Sequence, residues 1–303
     1  MIITFDEGLL FTGEHETINI NIIKMEILKK GLYIVSTPIG NLEDISLRAI
    51  KILKLVDFII CENPFHSLKL LNKLDIKKKL FSLHDYNENL LIKRIEKYQY
   101  SCPIALISDA GSPLVSDPGY NLIQDYISKN LFVTAIPGPT AIISSLQLSG
   151  LPMNNFEFFG FVSKNKSGIL GQIKKLQNRS STSIFFIAGS RLVMFLKSLL
   201  NQEINRKVAI CKELTKKNER VFRGEIKNVI QELDQEKSNL RGEFTILIDG
   251  KEKKSKNVIE VTIETQIKNL LEKFSLTEVV EIVHKLTNIS KKEIYKTALL
   301  IKK

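Results

Sequence analysis

From Gly31 onward the chain alternates short apolar runs with amphipathic stretches. GLYIVST runs into PIGN; DFIICEN, KLFSLHD, PIALISDAG and LFVTAIPGPTA follow it. Short apolar runs that end in turn residues predict strands delivering the chain into tight turns. Between them, DISLRAIKILKLV, HSLKLLNKL, ENLLIKRIEKY and YNLIQDYISKN carry apolar residues at helical spacing. Asp44 or Ser46 is placed to cap the first of these helices. Strand alternating with helix predicts an α/β layer with a largely parallel sheet over residues 30–149.

The pattern changes from about Leu151. FEFFGFV, TSIFFIAG, KVAICKEL, ERVFRGEI and GEFTILIDG predict strands, with helices at RLVMFLKSLL and IKNVIQELDQ. This is a second α/β domain, over 150–250, with a more mixed sheet. KEKKSKN, 251–257, reads as a charged linker. Three helical segments over 258–303 follow, with Ser275, Thr277 and Ser290 as N-cap candidates, and predict a small helix-turn-helix-like module. Residues 1–29 are poorly patterned and read as an extension; they lack the basic cluster of a targeting peptide.

Three turns carrying Gly and Pro fall at strand carboxyl ends: TPIGN, SDAGSP and PGPTA. Open α/β sheets bind ligands there, and Gly lets the backbone approach closely. Neither GxGxxG nor GxxxxGK[ST] is present, so a dinucleotide fingerprint and a phosphate-cradling loop are excluded. Asp109 in a backbone cradle suits a neutral or cationic ligand better than a phosphate. From the residues alone, the site is one for a small molecule.

Charge widens the picture. The formal net charge is +11, mostly from lysine, and the pI is about 9.4, which favours a polyanionic partner. Three scattered Cys without CxxC and four His without metal-ligand spacing argue for a reducing cytoplasm and no metal. No stretch approaches the ~20 apolar residues that a membrane span needs.

LYIVSTPIGNLEDISLRAIKILK, SLHDYNE, ALISDAGSPLVSDPGYNLI and IPGPTAIISSLQLSGLP together resemble the ribosomal RNA small subunit methyltransferase I family. CKELTKKNERVFRG, RGEFTILI and the terminal helices extend the resemblance. It implies two α/β domains of the tetrapyrrole-methylase type, with S-adenosylmethionine in the cleft between them. It also implies 2′-O-methylation of a decoding-centre cytidine in 16S rRNA, within a 30S-like particle, by a homodimer.

By the same resemblance Ile39, Gly40, Ser108, Asp109, Ala110, Pro113, Thr140, Ala141, Ala188 and Gly224 contact the cofactor. Glu62 is the expected catalytic carboxylate, although a strand-end acid equally suits a structural hydrogen bond. Arg191, Lys212, Lys216, Arg220 and Arg223 are the expected RNA contacts. The chain departs from the family in two places. Relatives usually read E-D-T-R where this chain has Glu62-Asn63-Pro64-Phe65, and E-S-P-H-R where it has Ala188-Gly189-Ser190-Arg191. Asn63 cannot act as a base, and Phe65 can stack on a nucleobase but cannot hold phosphate. The second Ser-Asp pair, Ser116-Asp117, is expected to build the turn that caps the next helix.

Overall fold

The computed structural model describes residues 28–235, 240–251, 265–287 and 289–302. The expected extension and charged linker lie almost wholly outside them. Two units emerge, one of 28–37 and 45–138, the other of 38–44 and the described residues from 139 onward.

The first unit is an all-parallel sheet of β1 (Gly31–Val35), β2 (Phe58–Cys61), β3 (Lys79–Ser82), β4 (Pro103–Ile107) and β5 (Val133–Ile136). Its strand order is β3-β2-β4-β1-β5. Helices α1 (Leu47–Leu55), α2 (Pro64–Lys73), α3 (Glu88–Gln99) and α4 (Tyr120–Ser128) connect the strands. A sheet covered on both faces needs unbroken apolar strands, and β4 supplies Ile104, Ala105, Leu106 and Ile107, all buried. Ala105 and Ile107 face Ala49, Ile52 and Leu53 of α1 and Leu71 of α2. Ile104 and Leu106 face Leu91 and Ile95 of α3 and Leu122 and Tyr126 of α4.

So β1 and β2 send their chains to one face, and β4, lying between them, sends its chain to the other. The backbone parts on both sides of the β4 carboxyl end, the crevice where open parallel sheets bind ligands. Local chemistry fixes the helix starts there. Ser46, not Asp44, caps α1 by accepting the Ala49 N–H at 3.1 Å. Gly119 has no side chain to cap α4, and the buried Glu88 substitutes: its carboxylate accepts from Leu122 N at 2.9 Å and Asn121 Nδ2 at 3.1 Å.

The second unit has a mixed sheet, β6-β7-β10-β8-β9, in which only β6 and β7 are parallel. Its strands are β6 (Phe156–Phe161), β7 (Thr182–Ala188), β8 (Lys207–Lys212), β9 (Arg220–Glu225) and β10 (Glu243–Ile248). One face packs on α6 (Lys166–Leu176), α7 (Gly189–Asn201) and α8 (Ile226–Gln235), through Ile173, Phe195 and Val229 among others. The other face carries α5 (Ala141–Ser149) and Ile39. Helix α6 was not anticipated, because its glycines interrupt the apolar stripe; Asn165 nonetheless caps it by accepting from Gly168 N at 2.7 Å.

The last helices are α9 (265–271), α10 (Leu276–Thr287) and α11 (Lys291–Lys302). They bury Ile267, Val279, Val283, Ile294 and Ala298 in a cluster of their own. Ser275 and Glu278 form a reciprocal capping box at the start of α10. At α11 the Ser290 hydroxyl accepts from the Glu293 N–H and donates to the Glu293 carboxylate. No described helix is long and apolar enough to cross a membrane.

Gly31 opens β1 at φ +140°, and a Cβ there would lie 2.2 Å from the Phe132 carbonyl oxygen. Gly31→Ala should therefore lower the unfolding free energy by about 2–3 kcal/mol, read as a lower urea midpoint at unchanged m-value.

Candidate active site

Three strand ends meet at the crevice. Beyond β1, Thr37 pairs with Gly111 as an isolated antiparallel bridge, its N–H donating to Gly111 O at 2.8 Å and its carbonyl accepting from Gly111 N at 3.0 Å. Ser36 and Ser112 hydroxyls meet at 3.0 Å. Beyond β2, the Asn63 N–H donates to Asp109 Oδ1 at 3.2 Å. The Glu62 carbonyl accepts from Ser82 Oγ at 3.1 Å, which ties the end of β3 to the same place.

The chain from β4 to α4 coils tightly to stay there. Gly111 (φ 79°) and Gly119 (φ 126°) take left-handed conformations, and so do Leu114 (φ 72°) and Ser116 (φ 71°), which have a Cβ to accommodate. Each of the latter costs on the order of 1 kcal/mol or more. The coil returns Asp117 to Ser108, whose hydroxyl stabilises its charged form. Ser116 and Asp117 were expected to build the turn into α4; they lie in that turn, and Asp117 also joins Ser108 in one cluster. The repetition of Ser-Asp on either side of a Gly- and Pro-rich turn was the signal for this.

The cluster holds like charges at close quarters. Burial raises the Glu62 carboxyl above the ordinary carboxylate range, and Asp109 and then Asp85 raise it further. Burial likewise pushes Asp117 up to about 6, with Glu62 the next cause and Asp109 a smaller one, against the opposing Ser108 bond. Near neutral pH such a site gains from a proton or a cation. Among the described residues, no group of three or more His, Cys, Asp or Glu is arranged to hold a metal ion.

Asn63 has a structural task. Its Oδ1 accepts from Phe65 N at 3.1 Å and His66 N at 3.4 Å, capping α2, and Pro64 sits at the first helical position, where its missing N–H costs nothing.

The first unit thus brings together Glu62, Ser108, Asp109 and Ala110, with Pro113 buried in the returning coil. The other expected cofactor contacts lie in the second unit. Ile39 packs on the α5 face, and Gly40 lies where a Cβ would come within 2.5–2.8 Å of Lys216, Thr215 and Leu214. Thr140 and Ala188 are the N-cap residues of α5 and α7, Ala141 begins α5, and Gly224 sits in β9 at φ +151°.

The expected RNA contacts are largely engaged inside the second unit. Arg191 Nη1 donates to the Val162 and Ser163 carbonyls at 2.9 and 3.0 Å. Arg223 donates to the Leu148 carbonyl. Lys216 pairs with Glu213 at 3.1 Å and Glu243 at 2.9 Å. Lys212 is 6% exposed, whereas Arg220 is exposed, pairs with Glu232 at 3.4 Å and stacks over Phe222.

The family model for Tetrapyrrole (Corrin/Porphyrin) Methylases matches residues 31–230. A Thermotoga maritima protein named Ribosomal RNA small subunit methyltransferase I is 40% identical over 224 residues, covering 73% of this chain and 99% of that one. A Rickettsia prowazekii protein of the same name is 40% identical over 278 residues, covering 89% and 96%. This chain belongs to the ribosomal RNA small subunit methyltransferase I family. The fold agrees: uroporphyrin-III-C-methyltransferase from Thermus thermophilus superposes with a TM-score of 0.52 at 16% identity, over 73% of this chain and 94% of that one.

A member of this family takes its methyl group from S-adenosylmethionine. The first unit suits that sulfonium cofactor. The charges acting on Glu62 and Asp117 are carboxylates, and the Ser108–Gly111 turn offers backbone next to them.

The raised Asp117 carboxyl makes a signed pH prediction. The folded state holds its proton more tightly than the unfolded chain, so ionisation costs stability above about pH 6 and nothing below about pH 4. Asp117→Asn should stabilise the cofactor-free protein by about 1–2 kcal/mol at pH 8, allowing for solvent screening. Urea unfolding should show that gap closing as the pH falls from 6 to 4.

Proposed function

We propose that this chain transfers a methyl group from S-adenosylmethionine to the ribose 2′-hydroxyl of a decoding-centre cytidine in small-subunit ribosomal RNA. The observation that carries this reading is relatedness: proteins named Ribosomal RNA small subunit methyltransferase I share 40% identity with it across most of the chain. The net charge of +11 is in keeping with a polyanionic substrate. The substrate is rRNA within a 30S-like particle, and the protein acts in the cytoplasm as a homodimer.

When bound, the cofactor supplies an electrophilic methyl on a sulfonium. In the first unit Ser108, Asp109, Ala110 and Pro113 would hold it; Ile39, Gly40, Thr140, Ala141, Ala188 and Gly224 are the candidates in the second. Glu62 accepts the proton of the ribose hydroxyl. A ribose hydroxyl is a weak nucleophile near neutral pH, and a carboxylate with raised proton affinity is a better base than an ordinary one. Asp109 receives the Asn63 N–H, which sets the Glu62-Asn63 segment against the β4 turn and aims the base. Of the expected phosphate contacts, Arg220 and Arg223 are exposed, and Arg191, Lys212 and Lys216 contribute field more than contact.

The altered Asn63-Pro64-Phe65 stretch is the best support for a binding factor without chemistry; against it, Glu62 stays in the cluster and the α2 cap is intact, which supports a working enzyme. Glu62→Gln should lower kcat about 10²- to 10⁴-fold with labelled S-adenosylmethionine and unmethylated small subunits. Mass spectrometry should place the wild-type methyl on a cytidine ribose. Transfer to a porphyrinoid instead, or binding to subunits without transfer, would sink this reading.

A further inference from the structure

In the first unit, the exposed aromatic residues are Phe65 (83%), Tyr86 (95%), Tyr100 (58%) and Tyr120 (70%). Tyr100 ends α3 at the amino-terminal side of the sheet. The other three stand on the carboxyl side, after three neighbouring strands. Phe65 is the second residue of α2, Tyr86 lies in the turn from β3 to α3, and Tyr120 is the first residue of α4.

Each lies close along the chain to a member of the carboxylate cluster or to a charge acting on it. Phe65 is three residues from Glu62, and its N–H is fixed by the Asn63 cap that also binds Asp109. Tyr86 follows Asp85, whose charge acts on Glu62, and tilts against His84 at 6.2 Å between ring centroids. Tyr120 follows the coil that carries Asp117, and the start of its helix is pinned by Glu88. Leaving three large rings in water forfeits burial free energy, so their shared placement calls for an occupant with flat faces.

We infer that Phe65, Tyr86 and Tyr120 form a stacking rim for unpaired nucleobases of the RNA on either side of the acceptor ribose. This rests on the proposed methyl transfer to rRNA. A ribose whose 2′-hydroxyl reaches Glu62 carries its own base, and those of its neighbours, within a nucleotide's length of the rim. Rings without charge beside carboxylates suit bases, whereas phosphates there would be repelled. Stacking tolerates any base, so the rim positions the strand without reading its sequence.

The chain contains no Trp, so a single introduced Trp reports on the rim directly. Phe65→Trp and Tyr86→Trp each keep a flat ring in the rim, and their fluorescence should be quenched by a single-stranded decoding-centre oligonucleotide. Phe65→Ala, Tyr86→Ala and Tyr120→Ala should each raise KM for small subunits about 5- to 100-fold and move kcat by no more than about twofold. Tyr100→Ala should change neither. Wild-type transfer to rRNA with unquenched tryptophans and unmoved KM would overturn the rim alone. Loss of a dimer in the alanine variants, seen by sedimentation, would assign the rings to a second copy of the chain instead. Absence of any wild-type methyl transfer to RNA would remove the parent reading, and the rim with it.

Discussion

The Thr37–Gly111 bridge is the contact on which the candidate site depends. Strands β1 and β4 already run parallel, and parallel strands separate once their chains leave for opposite faces of a sheet. Two backbone hydrogen bonds, at 2.8 and 3.0 Å, extend their association one step past the sheet. That step ties the Ser108–Gly111 turn to the end of β1, where the Thr37 hydroxyl also donates to the Ser108 carbonyl. From that anchored turn the coil runs through the left-handed Leu114 and Ser116 and brings Asp117 back to Ser108. The fold spends backbone strain here to bring carboxylates together, which the unfolded chain would keep apart.

The two units handle charge in opposite ways. In the first, burial and neighbouring carboxylates raise the proton affinity of Glu62 and Asp117, so the cluster favours something cationic or protic. In the second, the basic residues that resemble an RNA-binding set are mostly answered from within: Arg191 and Arg223 by carbonyls, Lys216 by Glu213 and Glu243. Their positive charge persists, because a carbonyl bond neutralises nothing. A polyanion would therefore meet a field more than a set of waiting side chains.

Much of this was legible in the sequence. The apolar runs from GLYIV to FTILI each became a strand, because a strand buried on one or both faces has little choice but to be apolar. Turn residues marked the carboxyl ends correctly for the same reason: Gly and Pro are needed where the backbone turns sharply. What failed to show were contacts made at long range. Helix α6 owes its existence to the core formed by Ile169, Ile173 and Leu176, while its glycines argue locally for a loop. Lys212 looked like a surface charge, yet its place in the buried run of β8 leaves it 6% exposed. Asp117 gave the plainest warning, a repeated Ser-Asp, but its partner Ser108 lies nine residues upstream across a coil that no propensity describes.

The departures from the family at Asn63 and Phe65 have a common physical reading. At the mouth of α2 the cap needs an oxygen that accepts two N–H groups, and an amide oxygen does this as well as a carboxylate. An acid at that position would add another negative charge beside Asp109 and Glu62, whose crowding already raises the proton affinity of Glu62 and Asp117. Replacing it with an amide keeps the helix start and relieves the repulsion, so more of Glu62 is ionised at a given pH. At Phe65 the exchange runs from a cation to a ring. A cation there would be drawn toward the carboxylates and partly neutralise them; a ring leaves their field intact and turns outward into solvent. Both changes shift the site from charge pairing toward hydrogen bonding and stacking, while Glu62 stays where the strand ends place it.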